Sequence, residues 1–253
     1  MDFTGRNCLN RMKGTILAGG KATRLRPLTW VTNKHLLPVY NKPMIFYPID
    51  TLIKAGITEI MVVTGGPHSG GFMSILKNGH ELGIKHLEYA YQEKEGGIAD
   101  ALSLAENFAE GDSITVILGD NTSDADICSA VAGFKEGALI FLKEVADPER
   151  FGIATFDPQD PSKIIKITEK PQNPDSKWAV TGVYIYDKQV FDFIREIKPS
   201  LRGELEITDV NNKYVEKSKL AWSELKGYWR DAGTFDTLLE ANNYWAGKPK
   251  ERK

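Results

Sequence analysis

Short apolar runs recur through the first half of the chain at Thr15–Ala18, Ile60–Thr64, Leu87–Tyr91 and Ile114–Leu118, each closing on glycine, aspartate or another turn former. Helical patterns lie between them, and strands alternating with helices in this way predict a mostly parallel sheet. Between the third and fourth runs Ile98, Leu102, Ala105 and Phe108 recur at helical spacing. So do Val190, Ile194 and Ile197, and, near the end, Phe235, Leu238, Leu239, Asn242 and Trp245. These stripes are expected to face the core and to carry no cofactor.

After about Gly137 the rhythm changes to Leu139–Leu142, Ile153–Phe156, Ile164–Thr168 and Val180–Tyr186, separated by turns containing proline, aspartate and glycine. Longer strands and hairpins laid on the first half are the expectation here. Residues 157–162 read as a strong turn and residues 171–177 as an exposed loop. No linker, repeat or low-complexity tract intervenes. The simplest reading is one domain over residues 13–247, with halves at about 13–136 and 137–247 and an extension at residues 1–12 whose order is left open.

Composition narrows the class. A chain of 253 residues, 42% hydrophobic and 26% charged, suits one large α/β domain. A formal net charge of −2 supplies no broad cationic field for nucleic acid or an anionic membrane. No secretory or membrane-spanning run is present, so a cytoplasmic location is expected. Cys8 and Cys128 are too few for a disulfide scaffold and have no zinc spacing.

The chemistry concentrates in a few segments. Ile16 to Arg26 runs from an apolar strand into a glycine-bearing turn, followed by Lys34-His35-Leu36-Leu37-Pro38-Val39. Backbone N–H groups of such a turn can point at phosphate oxygens, with Lys21, Arg24, Arg26 and Lys34 around the same anion. The turn is neither Gly-x-x-x-x-Gly-Lys-Ser/Thr nor Gly-x-Gly-x-x-Gly, which disfavours a P-loop kinase and a dinucleotide dehydrogenase. Asp120 follows a fully apolar strand and would sit at its carboxyl end, where ligands bind in open α/β sheets; it could hold a divalent metal or simply cap a turn. Asp231, in Gly227-Tyr228-Trp229-Arg230-Asp231, is a second acid that could share the metal or only support the next helix. Lys170 in Glu169-Lys170-Pro171 could reach a small phosphate, and Gln92 with Gly96-Gly97 could meet a nucleobase edge or form a plain turn.

In order and approximate spacing these segments resemble the sugar-1-phosphate nucleotidyltransferases, and most of all their glucose-1-phosphate thymidylyltransferase branch. The likeness covers roughly Lys13 to Trp245. Its most specific pieces are Leu17-Ala18-Gly19-Gly20 with Thr23-Arg24-Leu25, then Lys34 with Leu36-Leu37-Pro38-Val39, Lys42-Pro43-Met44-Ile45, Gly119-Asp120-Asn121, Glu169-Lys170-Pro171, Gly203 to Asp209, and Trp229 with Asp231 and Gly233. The resemblance implies a Rossmann-like three-layer fold with a mixed, mostly parallel central sheet. It also implies a magnesium-dependent reaction of a nucleoside triphosphate with a sugar 1-phosphate, dTTP and glucose 1-phosphate in that branch, giving a nucleotide sugar and pyrophosphate. By the same resemblance Leu17, Gly19, Gly20, Thr23, Gln92 and Gly97 hold the nucleotide and Arg24 and Lys34 its β/γ-phosphates. Asp120 and Asp231 hold the metal, Lys170 and Arg202 grip the sugar phosphate, and Gly152, Glu169 and Val180 line the sugar pocket.

The chain departs from the family pattern at Ala22, His35, Glu95, Phe151 and Thr122-Ser123-Asp124. These positions keep UTP, another sugar phosphate, or a non-catalytic nucleotide-sugar sensor as alternatives. The helical extension of longer relatives does not follow Trp245, so a monomer and a small homo-oligomer are both open.

Overall fold

The computed structural model describes residues 12–248; the extension read at residues 1–12, Met12 excepted, and Cys8 with it, lie outside them. In chain order the first strands are β1 (Lys13–Ala18), a short hairpin of β2 (Pro38–Val39) and β3 (Lys42–Pro43), β4 (Glu59–Gly65), β5 (His86–Gln92), β6 (Ile114–Leu118) and β7 (Asn121–Ser123). The second half adds β8 (Ala138–Glu144), β9 (Gly152–Phe156), β10 (Ile164–Glu169), β11 (Trp178–Tyr186), β12 (Leu220–Glu224) and β13 (Trp229–Asp231).

Nine strands form one mixed sheet in the order β10-β9-β11-β6-β1-β4-β5, with β8 also paired to β11 and carrying β12. The pairs β5–β4, β4–β1 and β1–β6 are parallel, and β11 joins β6 antiparallel. The second half therefore extends the sheet edge to edge instead of lying on the first half. Long β11 makes this possible: Val183–Tyr186 pair with β6, Ala179 meets β9, and a register shift between Val180 and Tyr184 lets β8 follow its other edge.

Helices cover both faces, giving the three-layer, Rossmann-like arrangement. Leu17, Met61, Val63, Ile114 and Val116 point into one apolar layer with helices Ile98–Ser103, Gln189–Glu196 and Ile207–Glu216. Ile16, Ala18, Ile60, Val62 and Ile117 point the other way, against helices Phe46–Lys54, Gly70–Leu76 and Cys128–Gly133. Strands buried on both faces read as unbroken apolar runs, which is why they stood out in the sequence.

The last stripe is corrected. Helix Phe235–Ala246 forms, but Phe235 is 47% and Leu239 61% exposed. This helix docks on Val39, Met44 and Tyr47, beside the small hairpin, through the narrow line Leu238, Ala241 and Trp245, so its wider apolar face stays outside. The stripe from Ile98 to Phe108 breaks into helices Ile98–Ser103 and Glu106–Ala109, with Leu102, Ala105 and Phe108 buried.

Candidate active site

The carboxyl ends of β1 and β6 open on a cavity of about 470 Å3, the crevice in which open α/β sheets bind ligands. Beyond β1 the chain turns through Gly20 at φ 93° and Ala22 at φ 48°, ψ 45°. Ala22 thus takes a left-handed shape that glycine would adopt without steric cost. Leu25 is buried and anchors the turn, leaving Thr23 and Arg24 on the cavity wall with Leu17, Gly19, Gly20 and Lys21.

Lys34 enters on a short 3-10 turn capped by Asn33, whose Oδ1 accepts the His35 backbone N–H at 3.0 Å and the ring Nδ1–H at 2.7 Å. Burial, helped by the Lys34 charge, lowers the His35 pKa to about 3, so the ring is neutral at pH 7.

The two acids meet through a backbone ladder. β13 pairs antiparallel with β7, setting Asp231 opposite Asn121, and the next amide, Ala232, donates to the Asp120 carbonyl at 2.9 Å. Trp229 Nε1 donates to Asn121 Oδ1 at 2.6 Å, tying the side chains across the same ladder. A methyl placed on Gly233 would lie 3.5 Å from Asp231 Oδ2, 3.6 Å from Asp120 Oδ2 and 3.4 Å from Arg24 Nη2, so both carboxylates and the guanidinium close on one point.

Their environments differ. Burial pushes the Asp120 carboxyl up, but the Lys34 ammonium, 2.5 Å from Oδ2, and the Asn121 amide outweigh it and hold the group well below the usual carboxylate range. Asp231 is raised to about 6, first by burial and then by the Asp120 charge, against the pull of Arg150, Arg230 and Arg24. Its Oδ1 is a buried oxygen with no hydrogen-bond partner. The two Oδ2 atoms that converge carry the Lys34 and Arg150 ion pairs, and Asp231 Oδ1 beside them is unpartnered; this set of hard oxygen donors fits magnesium, which needs few protein ligands because water and phosphate complete its shell. Among the described residues no group of three or more acids, histidines and cysteines offers a fuller metal cage.

On the opposite wall Gln92 donates through Nε2 to Gly97 O at 3.1 Å and to Asp100 Oδ2 at 2.7 Å. Both amide hydrogens are thereby used, and Oε1 stays available as an acceptor, 2.9 Å from where a side chain on Gly19 would begin. Gly97 has φ 97°, and a Cβ there would stand 2.5 Å from Leu205 O, so only glycine fits.

Gly152, Glu169, Lys170 and Val180 line the far end, where Glu169 Oε2 accepts from Thr208 Oγ1 at 2.7 Å. Lys170 sits at φ 43°, fixed by its N–H to Phe151 O at 2.9 Å, with Nζ 3.3 Å from Glu169 Oε1. Two expected cations are placed differently. Arg202 is not on the cavity wall; it pairs with Glu206 at 2.9 Å, Glu204 at 3.5 Å and Glu169 at 3.8 Å, because its own loop surrounds it with acids. Arg26 lines a neighbouring cavity and not this one.

Sequence reasoning missed Arg150, Asp100 and Tyr184. Arg150 bridges Asp147 at 2.6 Å and Asp231 at 3.3 Å and lines the cavity, as does Tyr184. A basic residue directly before Phe151-Gly152 was the available signal; nothing local marked the other two.

Residues 13–247 match the family model described as nucleotidyl transferase. A glucose-1-phosphate thymidylyltransferase of Neisseria meningitidis is 42% identical over 92% of this chain and 82% of its own length. Its counterpart in Mycobacterium tuberculosis is 40% identical with the same coverage. Among solved structures, a candidate glucose-1-phosphate thymidylyltransferase from Bacillus anthracis in complex with sucrose is 49% identical and superposes with a TM-score of 0.89, covering 95% of this chain and 98% of that one. A UDP-glucose pyrophosphorylase complexed with UDP-glucose shares the fold, with TM-score 0.81 at 23% identity over 94% of this chain and 99% of that one.

Proposed function

The chain belongs to the nucleotidyl transferase family, and on that footing we propose that it joins dTTP to glucose 1-phosphate, giving dTDP-glucose and pyrophosphate. The observation that carries this reading is the convergence of Asp120 and Asp231 on one point beside Arg24, with Lys34 on Asp120. The Neisseria and Mycobacterium relatives, named for that activity, support the choice of substrates.

The base packs against the wall that Gly19 and Gln92 form together. Gln92 Oε1 can only accept, so the base edge facing it must donate; thymine does so through N3–H, where cytosine carries a lone pair. Uracil presents the same N–H, which keeps UTP as a second reading. Glu169 and Thr208 face the sugar, and Lys170 holds its phosphate, with Arg202 at the rim acting through Glu169.

A sugar-phosphate oxygen, already ionised at neutral pH, attacks the α-phosphorus, and no general base is needed. The new Pα–O bond forms as the bond to the α–β bridging oxygen breaks, its electron pair leaving on pyrophosphate. What opposes the step is repulsion between anions, so the protein contributes alignment and fixed positive charge. Arg24 and Lys34 bear on the departing phosphates, and losing one such contact costs on the order of 3 kcal/mol, about a hundredfold in rate. Bound between Asp120 and Asp231, magnesium would supply further neutralisation of phosphate charge. Arg150 keeps Asp231 turned toward that point. Both substrates are charged phosphate esters that do not cross bilayers unaided, so a cytoplasmic location suits the reaction.

Incubation of the purified protein with magnesium, dTTP and glucose 1-phosphate, read by pyrophosphate release, tests the proposal. No release with any common triphosphate and hexose phosphate would reject it.

A further inference from the structure

A second cavity, of about 650 Å3, lies beside the first on the other side of the glycine-bearing turn. Gly20, Lys21, Ala22, Lys34, Gln92 and Glu95 line both. A strap crosses this shared wall: the Lys21 backbone N–H donates to Glu95 Oε1 at 2.8 Å and its ammonium meets Oε2 at 2.8 Å. The remaining walls come from Arg26 and Trp30 after the turn and from the loops that follow β4 and β5, including His68 and Lys94.

The charge in this cavity is lopsided. Lys21, Arg26, Lys34 and Lys94 line it against Glu93 and Glu95. Lys21 is matched by Glu95 and Lys34 by Asp120, whereas among the described residues no carboxylate pairs with Arg26 or Lys94. Two unmatched cations on a concave wall attract a multiply charged anion.

Sheet order says which anion. Gly152, Glu169 and Lys170, which take the sugar phosphate, belong to the β9–β10 edge; Asp120 follows β6, the glycine-bearing turn follows β1, and the second cavity lies beyond β4 and β5. An attacker arriving from the β9–β10 side requires, for in-line displacement, a leaving group that departs toward β4 and β5. That group takes the electron pair of the broken Pα–O bond and so carries more negative charge than it did within the triphosphate.

From this alignment we infer that the second cavity receives inorganic pyrophosphate as it leaves, and admits it in the reverse reaction, with Arg26 and Lys94 as its cations. The inference rests on the reaction proposed above. Glu95 opposes it by occupying Lys21.

The test compares Arg26→Gln/Lys94→Gln with the parent enzyme in both directions, reading inhibition of dTDP-glucose synthesis by added pyrophosphate and the KM for pyrophosphate in the reverse reaction. Both constants are expected to rise about tenfold, while the KM values for dTTP and glucose 1-phosphate stay within about twofold. Glu95→Gln, which frees Lys21, moves the pyrophosphate constants in the opposite direction. Lys94→Gln alone, on an exposed loop, gives a smaller rise of about threefold and keeps the test open if the double variant folds poorly. Unchanged pyrophosphate constants in the variants would overturn the inference. So would an equal rise in the KM for dTTP, which would place both cations on the bound triphosphate. Absence of turnover in the parent enzyme would instead remove the proposed reaction, and this inference with it.

Discussion

Asp231 stands opposite Asn121 in a two-stranded antiparallel ladder, so a carboxylate near the carboxyl terminus arrives beside Asp120 through backbone pairing and not by chance contact of long side chains. Trp229 reinforces the arrangement through its bond to Asn121 Oδ1. Trp229→Phe leaves that buried oxygen unpaired, and the expected cost is about 1–3 kcal/mol of stability. Because the ladder also aims the two acids, kcat should fall about tenfold or more while nucleotide affinity changes little. Chemical denaturation and steady-state kinetics on the same variant check both parts.

Asp231 makes the site sensitive to pH. Its folded-state pKa, raised to about 6, means that the folded protein binds this proton more tightly than the unfolded chain. Stability from this group is therefore present below about pH 4, declines as pH rises toward 6, and is absent above. Asp231→Asn should stabilise the metal-free protein at pH 8, by ~3 kcal/mol at most, and have little effect at pH 4. Proton and metal compete for the same oxygens, so magnesium affinity should weaken as pH falls below 6. Urea unfolding at the two pH values, with and without magnesium, measures both effects.

Ala22 holds a left-handed backbone with no side-chain gain to offset it. Ala22→Gly should raise stability by roughly 0.5–1 kcal/mol, the steric relief being partly cancelled by the greater freedom of glycine in the unfolded chain. A rise in thermal midpoint with unchanged KM for the triphosphate is the expected result.

Base choice follows from the spent amide hydrogens of Gln92. dTTP and UTP should both react, and CTP should be at least about a hundredfold poorer in kcat/KM, because its N3 presents a lone pair to a lone pair. Gln92→Ala should shrink that gap. Competing triphosphates in one assay give the ratio directly.

Much of the fold was legible because its central strands are buried on both faces, as at Ile16 and Leu17, which point into opposite layers. The second half was less so. Edge-to-edge extension of the sheet depends on the length of β11 and its register shift, features that strand periodicity does not encode. The docking face of helix Phe235–Ala246 was misread because its partner, the hairpin at Pro38 to Pro43, is too short to leave a pattern. Of the side chains expected to meet a ligand, all fell on the cavity wall except Arg26 and Arg202. A cation next to a motif in sequence can point to either side of a loop, and only the backbone path decides. Arg150 and Asp100 act through other side chains, Asp231 and Gln92, and such support has no signature along the chain.

In the reaction proposed above, Asp120 and Asp231 share one divalent cation beside the triphosphate. Crystals grown with manganese in place of magnesium and with a non-hydrolysable dTTP analogue, measured for anomalous scattering, test it most directly. A single strong peak between the two carboxylates, absent in Asp120→Asn, is the expected result. A peak elsewhere, or one that persists in that variant, would contradict it.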